Sequence, residues 1–262
     1  MNHTTPFDAR TFQQSLTTSA IGRFLVYRET VDSTMVLAKR EAAEGAPHGT
    51  IVLAEEQTAG RGRRGRTFDS PPGENLYVTM VLRLPLDVHR RLPLAVPLAV
   101  GLACRAEGVD ARIKWPNDIW LGQRKLSGML IDADLGGAGP VAMPGIGINV
   151  NSDPTVNPAL VDTATSLRRE LNRHVVRERL LATICNQLER TIALDPVALS
   201  GEYRSNSMII GHQVTVSTAT GESYEAIAEG IADDGGLVVL LTEGSRRTLI
   251  AEDVSVRPSV MR

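Results

Sequence analysis

The chain has 262 residues, 42% of them hydrophobic, enough to bury one large core or two modest ones. Its 28 Lys and Arg against 30 Asp and Glu leave a net charge of -2, which argues against a uniformly basic nucleic-acid-binding surface. The two cysteines, Cys104 and Cys185, lie in apolar stretches without C-x-x-C spacing, and no apolar run reaches the ~18 residues of a membrane helix; a disulfide framework, a structural zinc site and a membrane span are therefore excluded, and a reducing, cytoplasmic setting is expected.

In chain order, residues 1–20 carry no apolar signal core and are expected to form a flexible segment. A strand is predicted from Phe24 to Tyr27, then a polar turn from Asp32 to Thr34 that supplies helix caps, then a helix to about Ala43 stopped by Gly45. TIVLAEEQ reads as a second strand and NLYVTMVLRL as a third, whose weak alternation places it inside a sheet. A buried helix begins near Pro93, with Pro97 as a kink position because proline is comfortable only in a first turn. ARIKWPNDIWLG leads from a strand into a turn, and RKLSGMLIDADL and VAMPGIGINVN read as strands joined across GGAGP. Beyond Asp162, the positions Leu181, Ile184, Leu188 and Ile192 mark one face of an amphipathic helix. After EYRSNS, the short segments QVTVST, ESYEAIAEGIA, LVVLLT and RTLIAEDVSV, separated by ATGE, DDGG and EGSR, predict a small closed barrel appended to a mixed α/β domain.

The segment TAGRGRRGRTFDSPPG places Gly60, Gly62 and Gly65 in a G-x-G-x-x-G pattern threaded with arginines. A dinucleotide fingerprint needs a helix opening at the last glycine, and RTFDSPPGEN cannot continue as one. A Walker A sequence and kinase signatures are absent as well. What the composition does explain is an anion site: glycines let backbone amides approach, and Arg61, Arg63, Arg64 and Arg66 carry guanidinium forks suited to phosphate or carboxylate. For any one of these arginines, a purely solvated role stands as the alternative.

RIKWPNDIWLGQRKLSGMLID, taken with EEQTAGRGRRGRTFDSPPGENLY, DSTMVLA and PGIGINV, resembles the biotin protein ligases, specifically the monofunctional type that lacks an N-terminal DNA-binding domain. The resemblance covers nearly the whole chain. It implies an α/β (α+β) fold: a mixed-sheet, class II synthetase-like biotin/lipoate ligase catalytic domain over 21–206, and a small SH3-like β-barrel over 207–262. It implies adenylation of biotin by ATP with Mg²⁺, then transfer to a lysine of a biotin carboxyl carrier protein, a subunit of acetyl-CoA carboxylase or a related carboxylase. A homodimer is compatible with it. Lipoate ligation is the nearest alternative chemistry, and a nucleic-acid-binding role for RGRRGR a remoter one.

The resemblance also carries roles onto individual residues. Ser33 and Thr34 are implied to contact the ureido ring of biotin, although both also suit helix capping, supported by Gln57, Gly60 and the backbone near Arg61. Arg61, Arg63 and Arg64 belong to the loop that closes over the adenylate. Lys125 is implied at the junction of biotin carboxylate and α-phosphate, Gly128 at the ring pocket, and Asn117 and Asp118 beside the nucleotide, metal and acceptor lysine. Trp115 is expected as pocket wall, and Asn149 faces the nucleotide. Lys125, Arg61 and Asp118 are the expected catalytic groups. No histidine-containing ligand cluster is visible, so no protein metal ligands are assigned. Three departures from the family pattern stand out: Met35 in DSTM where DSTN is common, Phe68 where many relatives carry tryptophan, and LID at Leu130 to Asp132 in place of an ending in glutamate. About 20 residues precede the catalytic region, too few for a winged helix-turn-helix, so direct DNA repression is not expected.

Overall fold

The computed structural model describes residues 6–65, 67–136, 139–218, 221–251 and 254–258. Seven strands build the main sheet: β1 (Leu25–Val31), β2 (Thr50–Gln57), β3 (Leu76–Arg83), β4 (Ala111–Lys114), β5 (Asp118–Leu121), β6 (Arg124–Asp134) and β7 (Val141–Ile148), in the order β1-β2-β3-β7-β6-β5-β4. Only β1 and β2 run parallel, and the crossover such a pair requires is helix α2 (Thr34–Ala43). Every other neighbouring pair is antiparallel, so the expected mixed sheet is present. Pro144 lies within an internal strand and has no N–H to donate; the β3–β7 ladder is interrupted there, between the pairs at Gly145 and Ala142.

Alternation along the strands sorts the two faces. Leu76, Val78, Met80 and Leu82 of β3 enter the larger core, together with α4 (Leu92–Ala106), which follows the short α3 (Leu86–His89), and α6 (Arg177–Ala193), which follows the short α5 (Leu167–Leu171). Helix α4 is apolar nearly all round because it is sandwiched, with Pro93 in its first turn and Pro97 inside. Leu181, Ile184 and Leu188 of α6 are buried and Ile192 is partly so, as the amphipathic spacing predicted. Thr79 and Val81 of β3 point to the opposite face. There α2 covers a smaller cluster with Leu37, Ala38, Val52, Val81 and Met143. The uncovered remainder of that face is where the cavity lies.

Two expectations need correction. The first 20 residues, expected to be flexible, hold helix α1 (Ala9–Ser15), capped by Asp8 accepting from the Arg10 N–H. Phe12 is fully buried with the Phe7 ring tilted against it at 5.7 Å between centroids, and Glu189 of α6 accepts from the N–H groups of Ser19, Ala20 and Ile21. Two aromatic anchors and a carboxylate clamp outweigh the chain entropy that makes termini fray.

The second correction concerns the C-terminal barrel. Strands β8 (Gln213–Thr218), β9 (Ser223–Ile231), β10 (Leu237–Leu241), β11 (Arg246–Leu249) and β12 (Val254–Pro258) form an open antiparallel sheet in the order β11-β10-β9-β8-β12. Among the described residues, the edge strands β11 and β12 do not pair, so nothing closes. The reason lies in packing: Val214, Val216, Ala226, Ala228, Leu237, Val239 and Val256 join the larger core of the catalytic sheet and its helices. The apolar residues of this sheet are thus continuous with the core of the rest of the chain. Gly137 and Ala138 of the expected GGAGP connection, and Ala219 and Thr220 of ATGE, lie outside the described residues.

Candidate active site

A cavity of about 850 Å³ opens on the α2 face of the main sheet, at the upper end of the range for small-molecule sites. Its floor is a run of glycines. Gly145 and Gly147 sit two apart on β7 and therefore on one face, and Gly128 of β6 is paired directly with Gly147. Each is required by what lies over it. A Cβ at Gly145 would meet Met35 Cγ at 2.9 Å, one at Gly147 would meet the Phe68 ring at 2.6 Å, and one at Gly128 would meet Lys125 Nζ at 2.9 Å.

Beside Met35 lies a polar network. The Thr34 N–H and hydroxyl both donate to Gln57 Oε1, at 2.9 and 3.0 Å, and the Thr79 hydroxyl donates to Thr34 Oγ1 at 2.9 Å. Gln57 Nε2 donates to Ser70 Oγ at 3.0 Å, which in turn donates to the Phe68 carbonyl. Ser33 caps α2 by accepting from the Met35 N–H, so its capping role and its place in the cavity wall coexist. The network is nearly buried, with Ser33 1% and Thr34 3% exposed, and a ligand reaching it meets oriented donors and acceptors.

Lys125 owes its position to a bulge. Residues 125 and 128 are an odd number apart and would face opposite sides of a regular strand. The β5–β6 register shifts between Ile119 and Trp120, so that Asp118 pairs with Gly128 while Trp120 pairs with Lys125. The extra residue, Leu126, is fully buried, and Lys125, Asp118 and Gly128 come to one face. Lys125 Nζ then lies 2.8 Å from Asp118 Oδ1, with side-chain exposures of 38% and 23%. The Lys125 backbone is held on its other edge by Thr163 and Thr165.

The KWPND turn, with a cis bond between Trp115 and Pro116, forms one wall. The Asn117 side-chain amide donates to the Met129 carbonyl, and the Met129 N–H donates back to the Asn117 carbonyl. Trp115 Nε1 donates to the Gly235 carbonyl of the C-terminal sheet at 2.9 Å. Lys114 Nζ lies 3.7 Å from the Trp120 ring centroid, a cation–π contact at the cavity edge. From the arginine loop, Arg61 lines the cavity and is exposed, and its backbone bridges Thr67. Arg63 donates to Asn117 Oδ1 at 3.0 Å and to the Ala251 carbonyl, so it ties the loop to the turn and to the segment after β11. Met208 and Val256 bring the C-terminal part of the chain into the same wall.

Ser33, Thr34, Gln57, Arg61, Arg63, Trp115, Asn117, Asp118, Lys125 and Gly128 therefore share one cavity. Two expected residues do not line it. Gly60 sits behind the loop, where a Cβ would meet the Phe68 carbonyl oxygen at 2.5 Å, and Asn149 spends its side-chain amide on the Thr165 carbonyl at 3.1 Å. The Arg64 side chain and all of Arg66 lie outside the described residues. The sequence reading passed over Lys114, Gln123, Gly145 and Gly147 as site residues. The G-x-G of PGIGINV was visible, but which face those glycines occupy depends on register. Among the described residues, no three or more His, Cys, Asp or Glu side chains converge as a metal site. No described helix is long and apolar enough to cross a membrane.

Comparison with known proteins finds similar chains along most of the sequence. The biotin/lipoate A/B protein ligase family profile matches residues 27–151, and that of the biotin protein ligase C terminal domain matches 209–257. The bifunctional ligase/repressor BirA of Bacillus subtilis is 34% identical over 249 residues, spanning 90% of this chain and 75% of that protein. The biotin--[acetyl-CoA-carboxylase] ligase of Paracoccus denitrificans is 34% identical over 239 residues, spanning 85% and 96%. The biotin protein ligase from Aquifex aeolicus, solved in complex with biotin and ATP, superposes with a TM-score of 0.75 at 27% identity, over 90% of this chain and 100% of that one.

Proposed function

We infer the roles of individual residues from one premise: the chain belongs to the biotin protein ligases of the biotin/lipoate A/B protein ligase family. Its activity is ATP-dependent adenylation of biotin with release of pyrophosphate, followed by transfer of biotin to a protein lysine. The lysine belongs to a biotin carboxyl carrier protein, and we assign that carrier to acetyl-CoA carboxylase or a related biotin-dependent carboxylase.

The observation that carries the residue assignment is the shared glycine floor. From Gly145 under Met35 to Gly147 is two strand residues, roughly 7 Å, and from Gly147 to Gly128 is one strand spacing, ~4.8 Å. A bicyclic acid lying over the Met35 and Phe68 side chains that cover this floor meets the Ser33–Thr34–Gln57 network with its ureido edge and Lys125 with its carboxylate. Free carboxylate has no leaving group, so its oxygen attacks the α-phosphorus of ATP and the bond to pyrophosphate breaks. Negative charge accumulates on the α-phosphoryl oxygens, and Lys125 and Arg61 are the cations placed to stabilise it. Asp118, a carboxylate of the cavity lining, would hold a Mg²⁺ ion brought in with the ATP phosphates, and the ion would there neutralise further charge.

In the second half-reaction the carrier lysine attacks the acyl carbon and AMP leaves. That amine has a reference pKa of about 10.4 and must shed a proton. Asp118, which already holds one ammonium group at 2.8 Å, is assigned to orient the incoming amine and accept its proton. The arginine loop retains the water-sensitive adenylate until the carrier arrives.

Incubation with ATP, Mg²⁺, biotin and a carrier domain should add one biotinyl mass to the carrier by intact-mass measurement, and no addition with biotin, or equal addition with lipoate, defeats the reading. Lys125→Ala should cripple pyrophosphate release, whereas Asp118→Ala should impair transfer at least as much as adenylation. Normal pyrophosphate release from Lys125→Ala would remove Lys125 from the first step.

A further inference from the structure

We propose that Met35 is a specificity-determining residue of the acid pocket, selecting the sulfur-containing ring of biotin through an apolar contact that exists only because residue 145 is glycine. This rests on the assignment of the cavity to biotin. Met35 is the second residue of α2, adjacent to Thr34, whose N–H and hydroxyl are both committed to Gln57. Its side chain lies against β7, where a Cβ on Gly145 would meet Met35 Cγ at 2.9 Å and Sδ at 3.0 Å. The thioether thus occupies the space that any side chain at 145 would claim. Both residues line the cavity, so the thioether is ligand-facing wall.

Polar and apolar surfaces are therefore set side by side at this end. A fused bicyclic urea divides the same way: one edge carries a carbonyl and two N–H groups, the other a five-membered ring of methylenes and sulfur. The ureido edge belongs to Thr34, Gln57 and Ser33, and the thiolane ring to the Met35 thioether over bare backbone. Methionine suits this role because its unbranched, polarisable side chain adapts to an irregular apolar partner. The DSTN pattern common in the family would place an amide here, and a hydrogen-bonding group has nothing to gain from a thiolane ring. Met35 is thus a change of wall chemistry at a position that leaves Lys125 and Asp118 untouched.

The test compares biotin with desthiobiotin, which keeps the urea and the acid tail but lacks the sulfur that closes the second ring. Met35→Asn should raise KM for biotin about tenfold, the usual cost of one lost apolar contact in a pocket. The effect should fall on KM rather than kcat, spare KM for ATP, and raise KM for desthiobiotin less, so that selectivity between the two acids narrows. Met35→Leu, which keeps the apolar volume, should retain most of that selectivity. Gly145→Ala should weaken biotin binding by displacing Met35, and adding Met35→Ala should relieve the clash and recover part of the loss. An unchanged biotin-to-desthiobiotin ratio in Met35→Asn overturns the proposal, as does a Gly145→Ala defect that Met35→Ala leaves intact. Failure of the unmodified protein to adenylate biotin would instead overturn the functional reading on which the proposal stands.

Discussion

Two ion pairs in this molecule have similar geometry and opposite meanings. Glu55, near the end of β2, meets Arg177 of α6 at 2.6 Å with both side chains no more than 10% exposed. Arg177 also donates to the Asn75 carbonyl, while Glu55 accepts from the Phe7 N–H and the Tyr27 hydroxyl. Lys125 and Asp118 sit at 2.8 Å but are 38% and 23% exposed, facing a cavity over a glycine. The first pair uses its hydrogen-bonding capacity to join strand, helix and N-terminal segment. The second keeps an ammonium group and a carboxylate where incoming groups can reach them. Burial and saturation, rather than separation, distinguish a closed ion pair from an accessible one.

The comparison is broken most directly by exchanging the consequences. Lys125→Ala should lower kcat/KM for adenylation about 10³-fold, the scale for losing one cation that stabilises developing charge. Its cost in stability should be no more than ~1 kcal/mol, as for a partly exposed pair. Arg177→Met should do the reverse, costing about 3–5 kcal/mol because Glu55 is left buried without its cation. The folded fraction should keep its KM for biotin. Urea titration and pyrophosphate release on both variants check the cross, and a stable Arg177→Met protein with crippled adenylation would dissolve the distinction.

Between these extremes lies Gly128→Ala. A Cβ there would stand 2.9 Å from Lys125 Nζ and 3.5 Å from Asp118 Oδ1, so the methyl must push the ammonium off its place without removing it. A fall of about 10²-fold in adenylation is expected, the cost of misplacing a reacting group by about 1 Å. Unchanged rates would show that Lys125 acts from some other position.

Arg63 tests the loop. Arg63→Gly removes the ties to Asn117 and to the Ala251 carbonyl, and should release free biotinyl-AMP during turnover while adenylation falls less than in Gly128→Ala. Filtration after a single turnover with radiolabelled ATP measures this, and full retention of the intermediate on the variant would count against a lid.

Much of this was legible in the chain, and the failures share a cause. KWPND and RKLSG announce the charged pair, and DST with Gln57 the polar network, because those groups act through type and local spacing. The amphipathic face of α6 and the weak alternation of β3 are equally local. What escaped depends on register or on distant partners. The bulge that turns Lys125 and Gly128 to one face is an offset between β5 and β6. The Glu55–Arg177 pair spans 122 positions. The tie from the Asn149 amide to the Thr165 carbonyl joins positions 16 apart. Hairpin spacing located β8, β9 and β10 but ran β11 and β12 together in RTLIAEDVSV and suggested closure, which depends on the pairing of edge strands far apart in the chain. Helix α1 was an avoidable miss, since Asp8 before ARTFQQS is a readable cap, as is Asp195 before the helix Pro196–Asn206.

The smallest expected effect sharpens the buried side of the comparison. Tyr27 donates to Glu55, and burial, reinforced by the Glu55 charge, raises its pKa from 10.0 to about 12. The native state therefore holds this proton where the unfolded chain has begun to lose it. Stability from this group is complete below pH 10.0 and is lost as the pH climbs towards about 12. Tyr27→Phe should lie slightly below the unmodified protein in stability at neutral pH, for want of one hydrogen bond to a charged group. It should then decline less steeply through that alkaline window. Tyr77 and Tyr203, whose pKa values burial also raises, keep both proteins sloping, so the difference between the curves is the signal. Parallel urea-denaturation curves across the window would mean that Tyr27 does not share the buried pair, and would shrink that cluster to Glu55, Arg177 and the backbone around them.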